Sequence, residues 1–201
     1  YDSYFSDGLC CVRIDGKYGS IDTSRKIVIS PVSDKPLFFS EGMSAVKING
    51  KRGYIDMKGD ICIKPAFDNA SFFTEGLAPV LVKGKWGYIN SGGNLVISAR
   101  FDEARHFESG RSVIKKDGEY LIINKTGEIV FRYGDKIPLG HWPDDPQGEL
   151  QPAKDANGDL VLINADGKDV LQLEDLMPEY GGVFSFKKNG RCGLMDYKGF
   201  A

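Results

Sequence analysis

The chain has 201 residues, of which 41% are hydrophobic and 27% charged, and its formal net charge is −2. This composition is typical of a folded globular protein and excludes a chain that is disordered throughout. The near-neutral charge gives no electrostatic reason to expect nucleic acid as a partner, and no apolar run approaches the roughly 18 residues of an integral membrane segment.

A motif of phenylalanine, two variable residues and glycine recurs along the chain at intervals of 34 residues, with glycines at Gly8, Gly42, Gly76 and Gly110. A fixed period of this length is typical of a repeat architecture. Further glycine positions extend the pattern to six copies, at approximately 5–38, 39–72, 73–106, 107–146, 147–178 and 179–201. We therefore predict a single repeat array over residues 1–201, with an irregular loop at 133–150.

Each copy is predicted to contain a β-hairpin whose turn is an Asn-Gly or Asp-Gly pair. Such pairs favour type I′ turns, because both central residues need positive φ. The pairs are Asp15-Gly16, Asn49-Gly50, Asp117-Gly118, Asn157-Gly158 and Asn189-Gly190, with Lys83-Gly84 as a weaker version.

A second turn in each copy is opened by Asp or Asn and closed by glycine three residues later, as in Asp56 to Gly59 and Asn90 to Gly93. A short aliphatic segment such as Ile61 to Ile63 then predicts a third strand. Each unit is therefore interpreted as three antiparallel strands. Helical periodicity is absent except at Leu171 to Met177, where a short helical turn is the expectation.

Alternation along the second strand predicts which side chains are buried. One position always carries a large aliphatic residue, which we predict to face the core: Ile21, Ile55, Ile89, Ile123, Ile163 and Met195. A glycine two residues earlier, at Gly19, Gly53, Gly87 and Gly193, predicts that a side chain of a neighbouring unit packs over it. The opposite face carries aromatic residues, and sheets that are apolar on both faces stack against their neighbours.

The predicted fold is an all-β tandem array of about six three-stranded antiparallel β-repeats, arranged as an open, solenoid-like stack. A closed propeller-like ring is the alternative, and the open stack is preferred because a propeller blade usually has four strands. One unit buries too little apolar surface to fold by itself, so adjacent units must share faces.

The segment Gly84-Lys-Trp-Gly-Tyr-Ile-Asn90, with Phe73-Thr-Glu-Gly-Leu-Ala78 before it and Phe101-Asp-Glu-Ala104 after it, resembles the bacterial WG (KWG) repeat. The resemblance implies an all-β scaffold that mediates interactions and shares no catalytic motif. Tryptophan is present only at Trp86, and the equivalent positions are Tyr18, Arg52, Tyr120, Leu160 and Cys192. These departures indicate that the tryptophan is not a required ligand contact in every unit.

No cluster of residues points to catalysis, a cofactor or a metal. The two histidines, His106 and His141, lack a second histidine or a cysteine at metal-ligand spacing, and His106 is interpreted as a surface residue in a linker. Cys10, Cys11, Cys62 and Cys192 are interpreted as small apolar fillers, with disulfides or a metal site as the alternative. Asp155 to Asp166 partly matches a calcium loop, but Leu160 stands where that loop needs glycine.

Charged residues recur in register, and we interpret them structurally. Arg13, Lys47, Lys115 and Lys187 on the first strands are predicted to be solvated edge charges rather than a nucleic-acid track. Asp7, Glu41 and Glu75 before the Phe-x-x-Gly glycines are predicted to cap turns rather than to form an acidic stripe.

The predicted function is a non-catalytic binding or scaffold module whose partner is another protein. Carbohydrate or cell-wall binding is the alternative, because aromatic repeats can stack on sugar rings. The candidate contacts are Tyr54, Trp86, Tyr88, Tyr120 and, in the irregular loop, His141, Trp142, Asp144 and Asp145. Packing of Trp142 back onto the array is the structural alternative for this loop. The chain begins within a repeat, so we interpret it as processed or excised, with export or the bacterial cell envelope as the expected location.

Overall fold

A computed structural model describes residues 8–138, 150–164, 166–178 and 183–196. All regular secondary structure in these residues is β-strand, in small antiparallel sheets. The predicted all-β class and the tandem antiparallel sheets are therefore confirmed. The chain divides into two compact units, residues 1–108 and residues 109–201.

The first unit is built from short strands that follow the repeat. They are β1 (Leu9–Ile14), β2 (Lys17–Asp22), β3 (Ile27–Ser33), β4 (Met43–Ile48), β5 (Lys51–Asp56), β6 (Ile61–Phe67), β7 (Asn69–Ala70), β8 (Leu77–Val82), β9 (Lys85–Asn90), β10 (Leu95–Phe101) and β11 (Glu103–Ala104). Strands β1 to β10 form sheets in the orders β1-β2-β3, β4-β5-β6 and β7-β8-β9-β10.

The third of these sheets has a strand that the repeat pattern does not predict. The two-residue strand β7 lies in the segment between β6 and β8, and Asn69 and Ala70 pair with Leu81 and Val80 of β8. The expectation of three strands is therefore wrong for this sheet, because the linker from the preceding repeat supplies a fourth strand at its edge.

The hairpin turns of the first unit have the backbone conformation that was predicted for them. Asn49 and Gly50 have φ of 49° and 85°, so both central residues are left-handed as a type I′ turn requires. Lys83 and Gly84 adopt the same conformation, with φ of 50° and 79°, although lysine has no special preference for it. The strand pairing on either side therefore sets the turn even where its first residue is unfavourable.

In the described repeats, the second turn is held by its opening Asp or Asn. Oδ1 of Asp56 accepts hydrogen bonds from the backbone amides of Lys58 at 2.8 Å and Asp60 at 3.0 Å. Gly59 closes the turn with φ of 88°. Asn90 repeats this arrangement one period later, which confirms the predicted turn.

The glycine within the second strand is covered by backbone, and the prediction of a neighbouring unit's side chain is wrong there. In the third sheet, Trp86 and Tyr88 of β9 pair with Phe101 and Ile97 of β10, so β10 has extra residues opposite Gly87. This bulge folds over the glycine, and a Cβ on Gly87 would lie 2.6 Å from the Ile97 carbonyl oxygen. The register of β10 therefore requires glycine at this position.

The same close approach occurs at Gly19 and Gly53, against the carbonyl oxygens of Ile29 and Ile63. At Gly193 the covering group is a side chain of the same sheet, since a Cβ there would lie 2.6 Å from the Phe186 ring.

Adjacent sheets of the first unit pack against each other through buried apolar side chains. Tyr54, Ile63 and Phe67 of the second sheet share one cluster with Val80 and Ile89 of the third. The second turns of the second and third repeats also contact the preceding sheet, because a Cβ on Gly59 would lie 3.4 Å from the Ile29 side chain and a Cβ on Gly93 would lie 3.0 Å from the Ile63 side chain. The predicted sharing of faces between neighbouring repeats is confirmed within this unit.

The second unit continues with strands of similar length. They are β12 (Arg111–Lys116), β13 (Glu119–Asn124), β14 (Ile129–Gly134), β15 (Ile137–Pro138), β16 (Leu150–Lys154), β17 (Leu160–Asn164), β18 (Asp169–Leu173), β19 (Asp175–Pro178), β20 (Val183–Lys188) and β21 (Arg191–Asp196). Strand pairing runs β12-β13-β14, β15-β16-β17-β18 and β19-β20-β21. The predicted core residues Ile123, Ile163 and Met195 are completely buried.

Several local predictions fail in this unit. The β15-β16-β17-β18 sheet has four strands rather than three, and β15 lies within residues 133–150, which were predicted to be an irregular loop. Residues 171 to 177 form parts of β18 and β19 rather than a helical turn. The turn at 155–159 is not type I′, because only Gly158 and not Asn157 has positive φ. Oδ1 of Asp155 accepts from the amides of Asn157 and Asp159, both at 2.9 Å, so this turn repeats the Asp-x-x-Gly arrangement.

Candidate functional site

Tyr54 and Tyr88, two predicted binding residues, are completely buried. The Tyr54 hydroxyl donates to the Ser71 carbonyl at 2.6 Å, and its ring centroid lies 4.9 Å from that of Phe73. Tyr88 makes the equivalent contacts one period later, at 2.8 Å to a linker carbonyl and 4.9 Å to Phe107. Burial raises the pKa of the Tyr54 hydroxyl. Both residues connect a linker to its hairpin by a hydrogen bond and a ring contact. Neither side chain is accessible to a partner.

Trp86 and Tyr120 are half-buried at the start of the second strand of their repeats. Trp86 pairs across its hairpin with Leu81, and Tyr120 pairs with Lys115, whose Nζ lies 4.8 Å from the tyrosine ring centroid. Arg13 lies over Tyr18 in the same way, at 5.5 Å. Arg13 is exposed, as the prediction of solvated edge charges requires, and Lys115 is half-buried; both lie over aromatic rings, which the sequence analysis did not predict.

The other predicted site residues, His141, Trp142, Asp144 and Asp145, lie outside the described residues. Their role in binding stays a prediction.

The structure places three rings in contact at positions that the sequence analysis did not select. Phe38, Phe72 and His106 are spaced by 34 residues, one in each linker. The ring centroids of Phe38 and Phe72 are 5.3 Å apart, and those of Phe72 and His106 are 5.0 Å apart. Phe38 is 63% exposed, His106 is exposed and Phe72 is half-buried. We call these three residues the aromatic ladder.

The aromatic ladder stands on linkers that are fixed by hydrogen bonds. The Phe38 amide donates to Oγ of the buried Ser44 at 3.2 Å. Ser40 Oγ donates to the Phe73 carbonyl at 2.6 Å and so connects two successive linkers. The Glu41 carboxylate accepts from the Gly76 amide, at 3.1 and 3.2 Å to its two oxygens. The rings are therefore held by an ordered support rather than by free loops.

Glu41 has a structural role that combines strain with a contact between repeats. Its φ is 52° and Gly42 follows at 76°, so the Phe-x-x-Gly motif forms a further turn with two left-handed residues. A glutamate in this conformation is uncommon. The Glu41 carboxylate accepts from the Gly76 amide in the Phe-x-x-Gly turn of the next repeat, which explains why an acidic residue stabilises this position. Glu41 therefore caps a turn of the neighbouring repeat, which extends the predicted capping role.

Exposed ion pairs repeat along the first unit. Lys17 pairs with Asp34, Lys51 with Asp68, and Lys85 with Asp102. The hydrogen bond from Lys17 holds the pKa of the Asp34 carboxyl below its usual value. Asp68 has a lowered pKa because Lys51 and then the Lys83 amide donate to it. The lowered pKa of both aspartates extends their ionised range to more acidic pH.

The described residues contain no group of three or more His, Cys, Asp or Glu side chains that could hold a metal ion. The cysteines among them are free thiols: Cys10 is buried, whereas Cys62 and Cys192 are exposed. The interpretation as apolar fillers therefore fits Cys10 but not the two exposed thiols. A helix long and apolar enough to cross a membrane is not found in the described part of the chain.

Comparison with solved structures shows likeness at the level of the fold. The chain has a TM-score of 0.50 to Hsv2 from Kluyveromyces lactis, with 10% identity over 94% of this chain and 71% of that one. It has a TM-score of 0.52 to a eukaryotic initiation factor, with 11% identity over 99% of this chain and 63% of that one. BamB from Moraxella catarrhalis is similar at 0.49, with 13% identity and coverage of 96% and 70%. BamB and Hsv2 are β-propeller-like.

Sequence comparison identifies the family. None of the curated proteins compared with this chain matches it significantly. A family model described as the WG containing repeat matches residues 1–18, 18–51, 53–86 and 86–120. These matches carry the 34-residue period that the sheets follow, and they cover more than half of the chain. The chain belongs to the WG containing repeat family.

Proposed function

We propose that this protein is a non-catalytic binding module that recognises an extended apolar segment of another protein on the aromatic ladder. The observation that carries the proposal is the exposure of Phe38, which is 63% accessible although it lies in a ring contact with Phe72. Aromatic side chains are common anchors at protein interfaces.

The geometry of the aromatic ladder suits a linear partner. The two centroid separations of 5.3 and 5.0 Å give a row of rings across three repeats. An extended chain advances about 3.3 Å per residue, so the row corresponds to about three residues of a bound strand. The Phe38 and Phe72 rings meet at 65°, which leaves ring faces and edges to contact apolar side chains.

Burial of the exposed rings of the aromatic ladder by a partner would be favourable in free energy. Covering a phenylalanine side chain yields roughly 1.5–3 kcal/mol. The linkers are already ordered by the Ser44 and Ser40 hydrogen bonds, so binding requires little further ordering of the backbone. A repeat protein with β-propeller-like structural relatives fits a binding or scaffold role.

The test removes the exposed rings and leaves the scaffold intact. A photo-crosslinking amino acid at position 38 identifies the bound protein, and calorimetry then measures its affinity for wild type and for F38S/H106S. We expect the double substitution to weaken binding at least tenfold. The control V32S/I61S removes two other exposed apolar side chains, which are 60% and 53% accessible, and should bind as wild type does.

Equal affinity of the identified partner for wild type and F38S/H106S would refute the proposal. A glycan array run with the same proteins addresses the alternative ligand class. Glycan binding that disappears in F38S/H106S, without a protein partner, would replace a protein by a carbohydrate as the ligand of the aromatic ladder.

A further inference from the structure

A second surface feature of the first unit differs from the aromatic ladder in its chemistry. A cavity of about 340 Å³ is lined by Ser33, Asp34, Lys35, Lys47, Arg52, Asp68 and Asn69. The lining comes from the end of β3 and the residues after it, from the β4–β5 hairpin, and from the junction of β6 and β7. It therefore combines segments of successive repeats that only the fold brings together.

The positive charges that line this cavity outnumber the negative ones, although Lys47 lies near enough to Asp34 to attract its carboxylate. Asp34 and Asp68 bond to Lys17 and Lys51, which lie outside the lining. Lys35, Lys47 and Arg52 form no ion pair with any residue in the described parts of the chain. Lys17 and Lys51 neutralise the two aspartates from outside the lining. The net charge at the cavity is therefore that of Lys35, Lys47 and Arg52.

Lys47 and Arg52 are also placed directly opposite each other on β4 and β5. Like charges at opposed positions destabilise a hairpin. The equivalent pairs elsewhere avoid this cost, because Arg13 lies over Tyr18 and Lys115 over Tyr120. The second repeat thus has Arg52 where the first and fourth repeats have a tyrosine ring that contacts the basic partner.

We propose that this cavity binds a tetrahedral oxyanion, phosphate or sulfate, either free or as an ester. An arginine guanidinium offers two parallel N–H donors to such a group, and lysine ammonium groups add charge from the sides. The anion would relieve the repulsion between Lys47 and Arg52. This site goes beyond the aromatic ladder and does not depend on it.

The experiment follows backbone amide chemical shifts of the whole chain during titration with inorganic phosphate, with ionic strength held constant by sodium chloride. We expect saturable shifts in the residues that line the cavity. The key variant is Arg52→Tyr, which introduces the residue found at the equivalent positions of two other repeats and is therefore compatible with the hairpin. It should weaken phosphate binding at least tenfold.

The control Lys58→Gln removes the same charge from an exposed lysine in the turn beyond the far end of β5. It should bind phosphate within twofold of wild type. A second variant, Lys47→Gln, should weaken binding as Arg52→Tyr does. Thermal unfolding gives a parallel measurement: phosphate should raise the Tm of wild type and Lys58→Gln but not that of Arg52→Tyr.

Titration with sulfate and with O-phosphoserine distinguishes the sources of the anion. Phosphoserine binding at least as tight as inorganic phosphate assigns the site to a phosphate ester, and binding of the inorganic ions only assigns it to a free anion. Shifts that do not saturate, or that are equal in wild type, Lys58→Gln and Arg52→Tyr, would overturn the proposal.

Discussion

A buried tyrosine hydroxyl connects each of two hairpins to the linker that follows it. Tyr54 and Tyr88 donate to linker carbonyls at 2.6 and 2.8 Å, and their rings pack on Phe73 and Phe107. One side chain thus satisfies a backbone acceptor and fills the space between two elements. The position is therefore structural, although it lies within the Gly-Tyr-Ile segment that resembles the family motif.

Tyr88→Phe isolates the contribution of the hydroxyl, because the ring stays in place. Loss of one hydrogen bond in a completely buried site should lower the free energy of unfolding by about 1 kcal/mol. Urea denaturation measures the change. Tyr18→Phe is the control, since the hydroxyl of the half-buried Tyr18 forms no hydrogen bond to a described residue. Similar losses for both variants would contradict the assigned role.

Individual side chains were the least predictable part of the molecule from sequence. Alternation assigned Tyr54 and Tyr88 to the aromatic face that was predicted to offer binding contacts, but both are completely buried, with their rings packed on Phe73 and Phe107. The aromatic ladder had a sequence signal, the 34-residue spacing of Phe38, Phe72 and His106. The sequence analysis missed this spacing because each ring directly precedes the phenylalanine of the Phe-x-x-Gly motif, such as Phe73, and that motif alone was used to define the repeat.

At the scale of elements, the third strand of the early repeats is shaped by its bulge. Where the second strand has glycine, as at Gly53 and Gly87, the third strand bulges over it. In the fourth repeat Leu121 replaces the glycine and pairs directly with Arg132. The fourth repeat still has a bulge, but with one extra residue, Tyr133, whereas two extra residues lie opposite each glycine. The larger bulge therefore occurs with glycine, since a Cβ at that position would collide with the bulged backbone.

Gly87→Ala tests this coupling. Its Cβ would lie 2.6 Å from the Ile97 oxygen and 2.7 Å from the Ala99 nitrogen, which the backbone of β10 can relieve only by moving. We expect a loss of about 1–3 kcal/mol in the free energy of unfolding, measured by urea denaturation. Gly92→Ala is the control, because its Cβ would meet its nearest neighbours at 3.4 Å. Equal effects of the two substitutions would show that the bulge does not constrain this site.

Turns and strands were predictable to different degrees. The hairpin turns followed from local chemistry, because Asn-Gly and Asp-Gly pairs favour the left-handed conformations found at Asn49 and Gly50. The bulges did not, since a glycine pattern does not reveal whether backbone or side chain covers it. The short strand β7 was also missed, because its two residues are ordered by the edge of β8 and not by their own sequence.

The ion pair between Lys51 and Asp68 predicts a pH dependence at the element scale. The hydrogen bond from Lys51 lowers the pKa of Asp68 in the folded chain. The ion pair therefore stabilises the fold at pH values above the unfolded pKa of about 3.9, and this stabilisation is lost as the pH falls through the lower pKa of the folded state. Asp68→Asn should therefore make the Tm fall less steeply below about pH 4. The pair is exposed, so high salt should reduce the difference.

Thermal unfolding monitored by circular dichroism between acidic and neutral pH measures this slope. Asp60→Asn removes one exposed carboxylate that has no ion pair with a described residue, and it should keep the wild-type profile. An unchanged slope in Asp68→Asn would contradict the role given to the pair.

At the scale of the whole molecule, each unit is a set of sheets that are stabilised by their neighbours. The clusters that contain Ile63 in the first unit and Ile163 in the second each join residues of two successive sheets. A single sheet of this size buries too little apolar surface to be stable alone, so the sheets of a unit should unfold together. The rigidity needed to present the aromatic ladder follows from this cooperation.

Native-state hydrogen exchange of Ile63→Ala tests this cooperation most directly. Ile63 lies in β6, is buried, and contacts the turn at Gly93 of the next sheet. The substitution should cost about 2–5 kcal/mol, whereas Ile61→Ala, at a position 53% exposed on the same strand, should cost little. We predict that amides of β4 to β6 and of β7 to β10 lose protection by the same amount. Loss confined to β4 to β6 would show that each sheet is stable by itself and would contradict this account.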